Sequence, residues 1–330
     1  MKKIFLFAAA AMVSLSSCVQ SESVYTGKLN EIGFKSAVTR KIVQTQADFT
    51  QPIAVVGVLD NTLSDGIENY APYFLPEKYA TFIYDAGTAT WKGDPTRYWP
   101  SFGKMDFLAF CPNPVTATLT PNFDPTTGRI QNITVSGIDN NIVDQHDILY
   151  SDLVSDVVAP KSSAEALQFH HALAQIQVGF KKTDSAATVI LNSVVLENIL
   201  VGGTMVITPV VGSESQVAWT TVDSPKNRYF LKDLSVSGIE NGTLNEALVH
   251  DSEYSPLPLL TIPMAQQTKI KITYTIDSHQ QVYEHDLAVN GAWEAGFKYI
   301  YHFTINVNEI IFSCTVDSWE EKDYMPGTTI

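Results

Sequence analysis

From residue 31 onward, apolar positions recur in short alternating runs broken by turn clusters, the period of strands with one buried face. Ile32, Phe34 and Val38 open the pattern, followed by Ile42-Val43, then Ile53 to Val58, Tyr79 to Tyr84, Met105 to Cys111 and Ile130 to Val135. Turn-forming residues separate these runs at Asp94-Pro95, Pro112-Asn113-Pro114 and Asp124-Pro125-Thr126-Thr127-Gly128. The alternation is clearest late in the chain. Ile270, Ile272, Tyr274 and Ile276 share one face, as do Tyr299, Tyr301, Phe303, Ile305 and Val307. Asp277-Ser278 starts a turn into a further strand around Gln281 to Leu287. Leu167, Phe169 and Leu173 share one parity, whereas Ile176, Val178 and Phe180 take the other, so a bulge or a helical turn is expected at Ala172 to Ala174. No stretch sustains a 3.6-residue apolar period. The pattern predicts an all-β fold with a few short helical turns in loops. A boundary is expected near Pro160-Lys161-Ser162-Ser163, which divides two strand-rich halves, each compatible with a β-sandwich.

The N-terminus departs from this pattern. Lys2 and Lys3, the apolar stretch Ile4 to Val13, and Leu15-Ser16-Ser17 ahead of Cys18 read as a lipoprotein signal peptide, residues 1–17. The mature chain then begins at a lipidated Cys18. Several acyl chains, at about 0.8 kcal/mol per buried methylene, make a lasting anchor. Val19 to Asn30 reads as a polar tether, and no later stretch is long and apolar enough for a spanning helix.

Composition narrows the partners. The chain has 330 residues with 21 basic and 35 acidic side chains, a net charge of −14. That acidity excludes nucleic acid, whose binding needs a basic face, and a basic patch for anionic lipid. Besides Cys18 only Cys111 and Cys314 remain, both in strand-like runs, so buried free thiols are expected instead of a disulfide framework.

Candidate chemistry is sparse. Adjacent His170 and His171 point to opposite faces of a strand, so they cannot share a metal in-line. His279 and His285 lack partners at ligand spacing, and His250-Asp251-Ser252 is too compressed for a relay. Asp139, Asn140, Asn141 and Asp144 lack the glycine and terminal glutamate of a calcium loop and read as a solvated acidic turn. Nucleophile-elbow, zinc-protease and phosphate-loop motifs are missing. The expectation is no enzyme, no metal and no cofactor. Trp91, Tyr98 and Trp99 fit better as core aromatics than as a sugar platform. Asp184-Ser185-Ala186 is similar to an O-glycosylation triplet of exported Bacteroidetes proteins, and a plain turn explains it equally well.

Blocks spread along the whole chain carry a resemblance. They are the signal ending at Cys18, Glu31-Ile32-Gly33-Phe34 with Thr39-Arg40, and Tyr98-Trp99-Pro100-Ser101 followed by Met105 to Phe110 and Pro112. Asp147-Ile148-Leu149-Tyr150-Ser151 and Leu167 to Ile176, with His171 as the motif histidine, come next. Ile262-Pro263, Trp293 to Tyr299 and Ile310 to Trp319 close the series. In order and spacing they resemble the fimbrillins of the Bacteroidetes, the Mfa-like and FimA-like type V pilins.

The resemblance implies two tandem transthyretin-like β-sandwiches exported as an outer-membrane, surface-exposed lipoprotein that enters a fimbrium after processing. On this reading residues 18–40 are a lipidated tether and removable first strand, 41–160 the N-terminal domain and 161–330 the C-terminal domain, with a donor strand within 310–319. An arginine-specific, trypsin-like protease would cut after Arg40 or Lys41, freeing Ile32, Phe34 and Val38. The cleft left behind would accept a neighbour's strand, for which Ile310, Phe312, Cys314 and Val316 supply the alternating apolar side chains. If that segment is an integral sheet strand and not a free donor, an anchor or tip position follows in place of a stalk position. The implied partners are other fimbrillin subunits, the protease, the outer membrane through its lipid, and a host or bacterial surface ligand. The alternative is a monomeric surface lipoprotein that binds glycans through Trp91, Tyr98 or Trp99.

Overall fold

The computed structural model describes residues 30–36, 50–62, 66–112, 117–139, 147–200, 202–222, 225–232, 242–263, 268–287, 292–307 and 309–318. The fold is all-β. In the first half the strands are β1 (Gly33–Ser36), β2 (Ile53–Asp60), β3 (Tyr70–Pro72), β4 (Tyr79–Asp85), β5 (Thr90–Asp94), β6 (Lys104–Cys111), β7 (Thr118–Phe123), β8 (Ile130–Asp139), β9 (Leu149–Ser151) and β10 (Val154–Val158). Then come β11 (Glu165–Leu167), β12 (Phe169–His171), β13 (Ala174–Lys182), β14 (Val189–Ile199), β15 (Gly202–Thr208), β16 (Gln216–Val222) and β17 (Lys226–Tyr229). The last are β18 (Glu246–Ala247), β19 (Leu259–Thr261), β20 (Lys269–Ile276), β21 (His279–Asp286), β22 (Phe297–Ile305) and β23 (Ile310–Ser318).

A ten-stranded sheet runs β11-β1-β5-β4-β2-β6-β9-β12, with β3 on β2 and β10 on β6. Its two ends are one piece of chain, because Gln168 alone separates β11 from β12. The segment 165–171 therefore pairs with β1 at one end and with β9 at the other, and the strand order closes into a ring. Side chains from all around that ring meet in one core, among them Phe34, Trp91, Phe82, Val55, Phe107, Leu149, Phe169 and Leu167.

β2 and β6 are buried on both faces, which explains why Ile53 to Val58 and Met105 to Cys111 are unbroken apolar runs. Ile53 and Val55 point into the ring, whereas Ala54, Val56 and Val58 point out of it. Phe107 and Ala109 take the inner side, Leu108 and Phe110 the outer. The outer side packs against a four-stranded sheet, β16-β15-β8-β7, through Ile133, Val135, Met205 and Ile207.

A separate sandwich stacks β19-β13-β22-β23 on β17-β14-β20-β21, with β18 added on β14. Its core holds Phe180, Leu191, Ile272, Tyr301 and Phe303. β20 and β21 form the expected hairpin, with Asp277 and Ser278 at φ of 46° and 71°, the left-handed pair a two-residue turn demands. Val307 falls just beyond the end of β22.

The expected break at Ala172 to Ala174 is present: β12 ends at His171 and β13 begins at Ala174. There the chain passes from one core to the next. Leu167 and Phe169 lie in the ring, Ala172 and Leu173 between ring and second sheet, and Ala174 and Ile176 in the last sandwich. The sequence division at 160/161 is not a division of the sheets. β15 comes from the second half yet pairs with β8 of the first, with Met205 opposite Val135, and β16 follows on β15. Local periodicity carries no information about such a long-range pairing.

Candidate functional site

Two strands frame the site, β1 in the ring and β23 at a sheet margin. β1 is short, but it is held on both sides. It pairs in parallel with β11, Phe34 opposite Glu165 and Ser36 opposite Leu167, and antiparallel with β5, Gly33 opposite Lys92 and Phe34 opposite Trp91. Just ahead of it, the Ile32 amide donates to the Arg97 carbonyl at 2.7 Å, and the Trp99 amide to the Asn30 carbonyl at 2.9 Å. Ile32 is 1% exposed and Phe34 0%. The Phe34 ring meets Phe82 at 4.9 Å and Phe107 at 5.1 Å, both edge-on, the arrangement favoured by aromatic quadrupoles.

β1 is thus the closing strand of the ring. Without it, β5 and β11 would each present an unpaired edge, the exposure that closed sheets avoid. Full burial of a Phe or Ile side chain is worth about 1.5–3 kcal/mol each, so this short strand contributes much of the ring's cohesion. Val38, Arg40 and Lys41 lie outside the described residues, as does Cys18.

β23 pairs with β22 along nine residues, from Ile305 opposite Ile310 to Phe297 opposite Ser318. It is an integral strand of its sheet, and among the described residues it is the last strand on that side. Ile310, Phe312 and Cys314 are only partly buried against the core, and Val316 is 54% exposed. Phe312 touches His285 at 4.2 Å and stacks on Tyr301 at 5.8 Å.

The histidines serve the framework. His170 Nε2 lies 2.9 Å from Asp152 and its Nδ1 3.3 Å from Glu214, while the Tyr150 hydroxyl donates to Glu214 at 3.0 Å. These contacts tie the loop between β15 and β16 to the ring. His171, on the opposite face as its parity requires, has Nδ1 2.7 Å from Asp147, both side chains buried. That pair sits at the ring's seam, where β12 meets β9.

A second polar knot was not legible from the sequence. Asp106, within the apolar β6 run, is 1% exposed and accepts from Arg129 Nη1 at 3.1 Å and from the Asp156 amide at 2.8 Å. Burial pushes its carboxyl above the usual range, which the Asp156 amide and the Arg129 charge partly oppose. Arg129 also meets Glu68 and stacks on Tyr70. The adjoining turn requires Gly128: φ is +75° and an added Cβ would come within 1.8 Å of the Tyr70 carbonyl oxygen.

The aromatics offer no sugar platform of the kind weighed from sequence. Trp91 is 2% exposed and Trp99 4%, both in the ring core, and Trp91 Nε1 donates to the Gln51 carbonyl. Tyr98 alone of the three is exposed. Ser185 stands exposed on the turn after β13, where Asp184 accepts from the Ala186 amide. Cys111 is a buried free thiol, and Cys314 is free but only half-buried. Among the described residues no cluster of three or more His, Cys, Asp or Glu is placed to hold a metal, and no helix is long and apolar enough to cross a membrane.

With this geometry in view, the comparisons with known proteins are informative. A family model described as fimbrillin-like matches residues 39–319. Among solved structures, one from Bacteroides ovatus, assigned to cell adhesion, is 14% identical with a TM-score of 0.53, covering 90% of this chain and 100% of its own. A fimbrial protein from Bacteroides vulgatus is 17% identical with a TM-score of 0.49, over 88% of this chain and 99% of its own. The tip fimbrial protein Mfa3 of Porphyromonas gingivalis, truncated at its C-terminus, is 10% identical with a TM-score of 0.40, over 88% and 99%. No curated protein matches the chain.

Proposed function

Because the chain belongs to the fimbrillin-like family, whose members are structural proteins and not enzymes, we propose that it is a subunit of a surface fimbria assembled by strand exchange and supporting adhesion. It reaches the outer membrane as a lipoprotein anchored at Cys18. An arginine-specific protease cuts after Arg40 or Lys41, which severs β1 from the rest of the chain. Departure of β1 opens the ring and exposes the Ile32 and Phe34 sites between β5 and β11. A strand from a neighbouring subunit then restores both ladders, the same physics as donor-strand complementation. The contact is head-to-tail, so repetition gives a filament instead of a closed ring of subunits.

The observation that carries this reading is the placement of β1: N-terminal to the candidate cleavage residues, paired on both sides, and lining an aromatic core. The donor of the scheme is β23. It is paired in the isolated chain, but among the described residues on one side only, and with its inner face half-buried. Free donor and integral strand are therefore not exclusive alternatives, and a stalk position stays compatible with an integral β23. The glycan-binding alternative loses two of its three platform residues to the core.

The test is assembly in vitro. Purified mature chain, treated with an arginine-specific protease, is expected to give an SDS-resistant ladder in unboiled samples. Cleaved chain that stays monomeric, with a measurable glycan affinity, would favour the alternative.

A further inference from the structure

The loop from β5 to β6 lies at one end of the ring and carries Arg97, Tyr98 and Trp99. The segment is held from two sides. The Ile32 amide donates to the Arg97 carbonyl and the Trp99 amide to the Asn30 carbonyl, while the Tyr73 hydroxyl donates to the Tyr98 carbonyl at 2.9 Å. Trp99 turns into the ring core and Tyr98 out to solvent, the alternation of an extended segment. Arg97 falls on Trp99's side, and its guanidinium carbon lies 5.8 Å from the centre of the buried Phe74 ring. Gly93 makes room for the arginine stem, because an added Cβ there would come within 2.9 Å of Arg97 Cγ.

Two donors at this end of the ring are unspent. Arg97 Nε and Trp99 Nε1 are both sealed from water with no hydrogen-bond partner, and no ion pair engages the Arg97 guanidinium among the described residues. Arg129, by contrast, takes both Asp106 and Glu68. In a chain with 35 acidic and 21 basic side chains, a half-buried guanidinium without a carboxylate stands apart. Glu31, opposite Tyr98, is exposed, and its charge acts on Lys92. The face of Phe74 compensates the Arg97 cation in part. Water would satisfy the N–H groups and leave the charge. Guanidinium and indole only donate, so the missing partner brings acceptor oxygens and a negative charge.

The surroundings say what carries that charge. Tyr98 is 41% exposed, Phe102 80% and Leu75 62%, so two aromatic faces stand open to water beside the spare cation. An extended peptide has no ladder to join, because 30–32 occupies one side of 97–99 and Tyr73 takes the Tyr98 carbonyl on the other. A sugar ring needs no ladder. We propose that this end of the ring binds a carboxylated sugar, its carboxylate on the planar fork of Arg97 and its ring against Tyr98 and Phe102. This differs from the tryptophan platform weighed from sequence, which needs Trp91 and Trp99 exposed. The site is complete in the uncut chain, so it adds an adhesion ligand to the fimbrial reading without depending on strand exchange.

The experiment titrates glucuronic acid against the uncut mature chain and reads binding by ligand-observed NMR. Glucose supplies the ring without the charge, and acetate the charge without the ring. Glucuronic acid should bind more tightly than either, and more weakly as salt rises. Arg97→Gln should weaken it at least about tenfold, the worth of a charged hydrogen bond. Phe102→Ala changes a side chain already in water, so the fold is kept, and should weaken it about two- to tenfold. Lys92→Gln should leave it unchanged. Acetate binding as tightly as glucuronic acid, with no loss in Phe102→Ala, would mean a bare anion contact and overturn the sugar assignment. Glucose binding equally well, or Arg97→Gln binding unchanged, would overturn the role of the charge. No binding of glucuronic acid would overturn the proposal outright, whether or not cleaved chain assembles.

Discussion

β1, with Ile32 just ahead of it, and β23 present similar apolar residues and live in opposite circumstances. β1 is four residues long, paired on both sides, with Phe34 enclosed by other rings. β23 is nine residues long and, among the described residues, paired on one side, with Phe312 half-covered and Val316 54% exposed. What distinguishes them is topology and not composition. The ring needs one more strand to close, and β1 supplies it. The last sandwich already has its core without the outer half of β23. A chain organised this way holds one tightly placed strand, which the proposed scheme has proteolysis remove, and one loosely placed strand of similar chemistry.

The difference should appear first in stability. Phe34→Ala is expected to cost the uncut chain about 3–5 kcal/mol, the range for deleting a fully buried aromatic. Denaturant melts read this directly. Asp147→Ala removes the carboxylate beside buried His171 at the ring seam and should cost about 1–3 kcal/mol, the penalty of disturbing a buried polar contact. If it costs nothing, the seam is not what holds the ring. Phe312→Ala should cost the uncut chain only about 1–2 kcal/mol, because the deleted ring is already half in water. The same substitution should abolish ladder formation after cleavage. A loss equal to that of Phe34→Ala in the uncut chain would erase the contrast between the two strands.

The two thiols sharpen the comparison at the smallest scale. Burial pushes the Cys111 thiol well above its ordinary range, with the Asp147 charge adding to it, while Cys314 is raised by burial and partly offset by its contact with Tyr301. The thiolate is the reactive form, so a maleimide should label Cys314 slowly at neutral pH and faster as pH rises, and should leave Cys111 untouched in native protein. In assembled filaments Cys314 should become protected as well. Labelling of both thiols at equal rates in the uncut chain would mean the ring core is open.

Much of this fold was legible in the sequence because it is local. The strands β2 and β6, the β20–β21 hairpin at Asp277-Ser278, and the break at Ala172 to Ala174 each leave a mark in residue pattern or turn chemistry, although the burial of β2 and β6 on both faces, where one buried face was expected, came only with the structure. The ring was not legible. Its closure depends on Gln168 letting one segment serve two neighbours, β1 and β9, and nothing in the spacing of Leu167 and Phe169 records that. The return of β15 and β16 to the sheet of β7 and β8, which packs on the ring, was hidden for the same reason. Asp106 was hidden differently: a carboxylate in an apolar run is readable only when its partner, Arg129, is known to lie beside it. The residues of the candidate strands were legible as alternating apolar sets. Their unequal burial needed the sheet order, because periodicity tells which face is apolar and not whether anything covers it.

The central claim is that β1 is a removable strand whose loss licenses assembly. It is tested most directly by the N-terminus of the protein recovered from sheared-surface and outer-membrane fractions, read by mass spectrometry. The account predicts a start at Lys41 or Ile42 in the sheared material. An acylated Cys18 as the sole N-terminus in both fractions would contradict it, since β1 would then still be joined to the chain and the ring still closed.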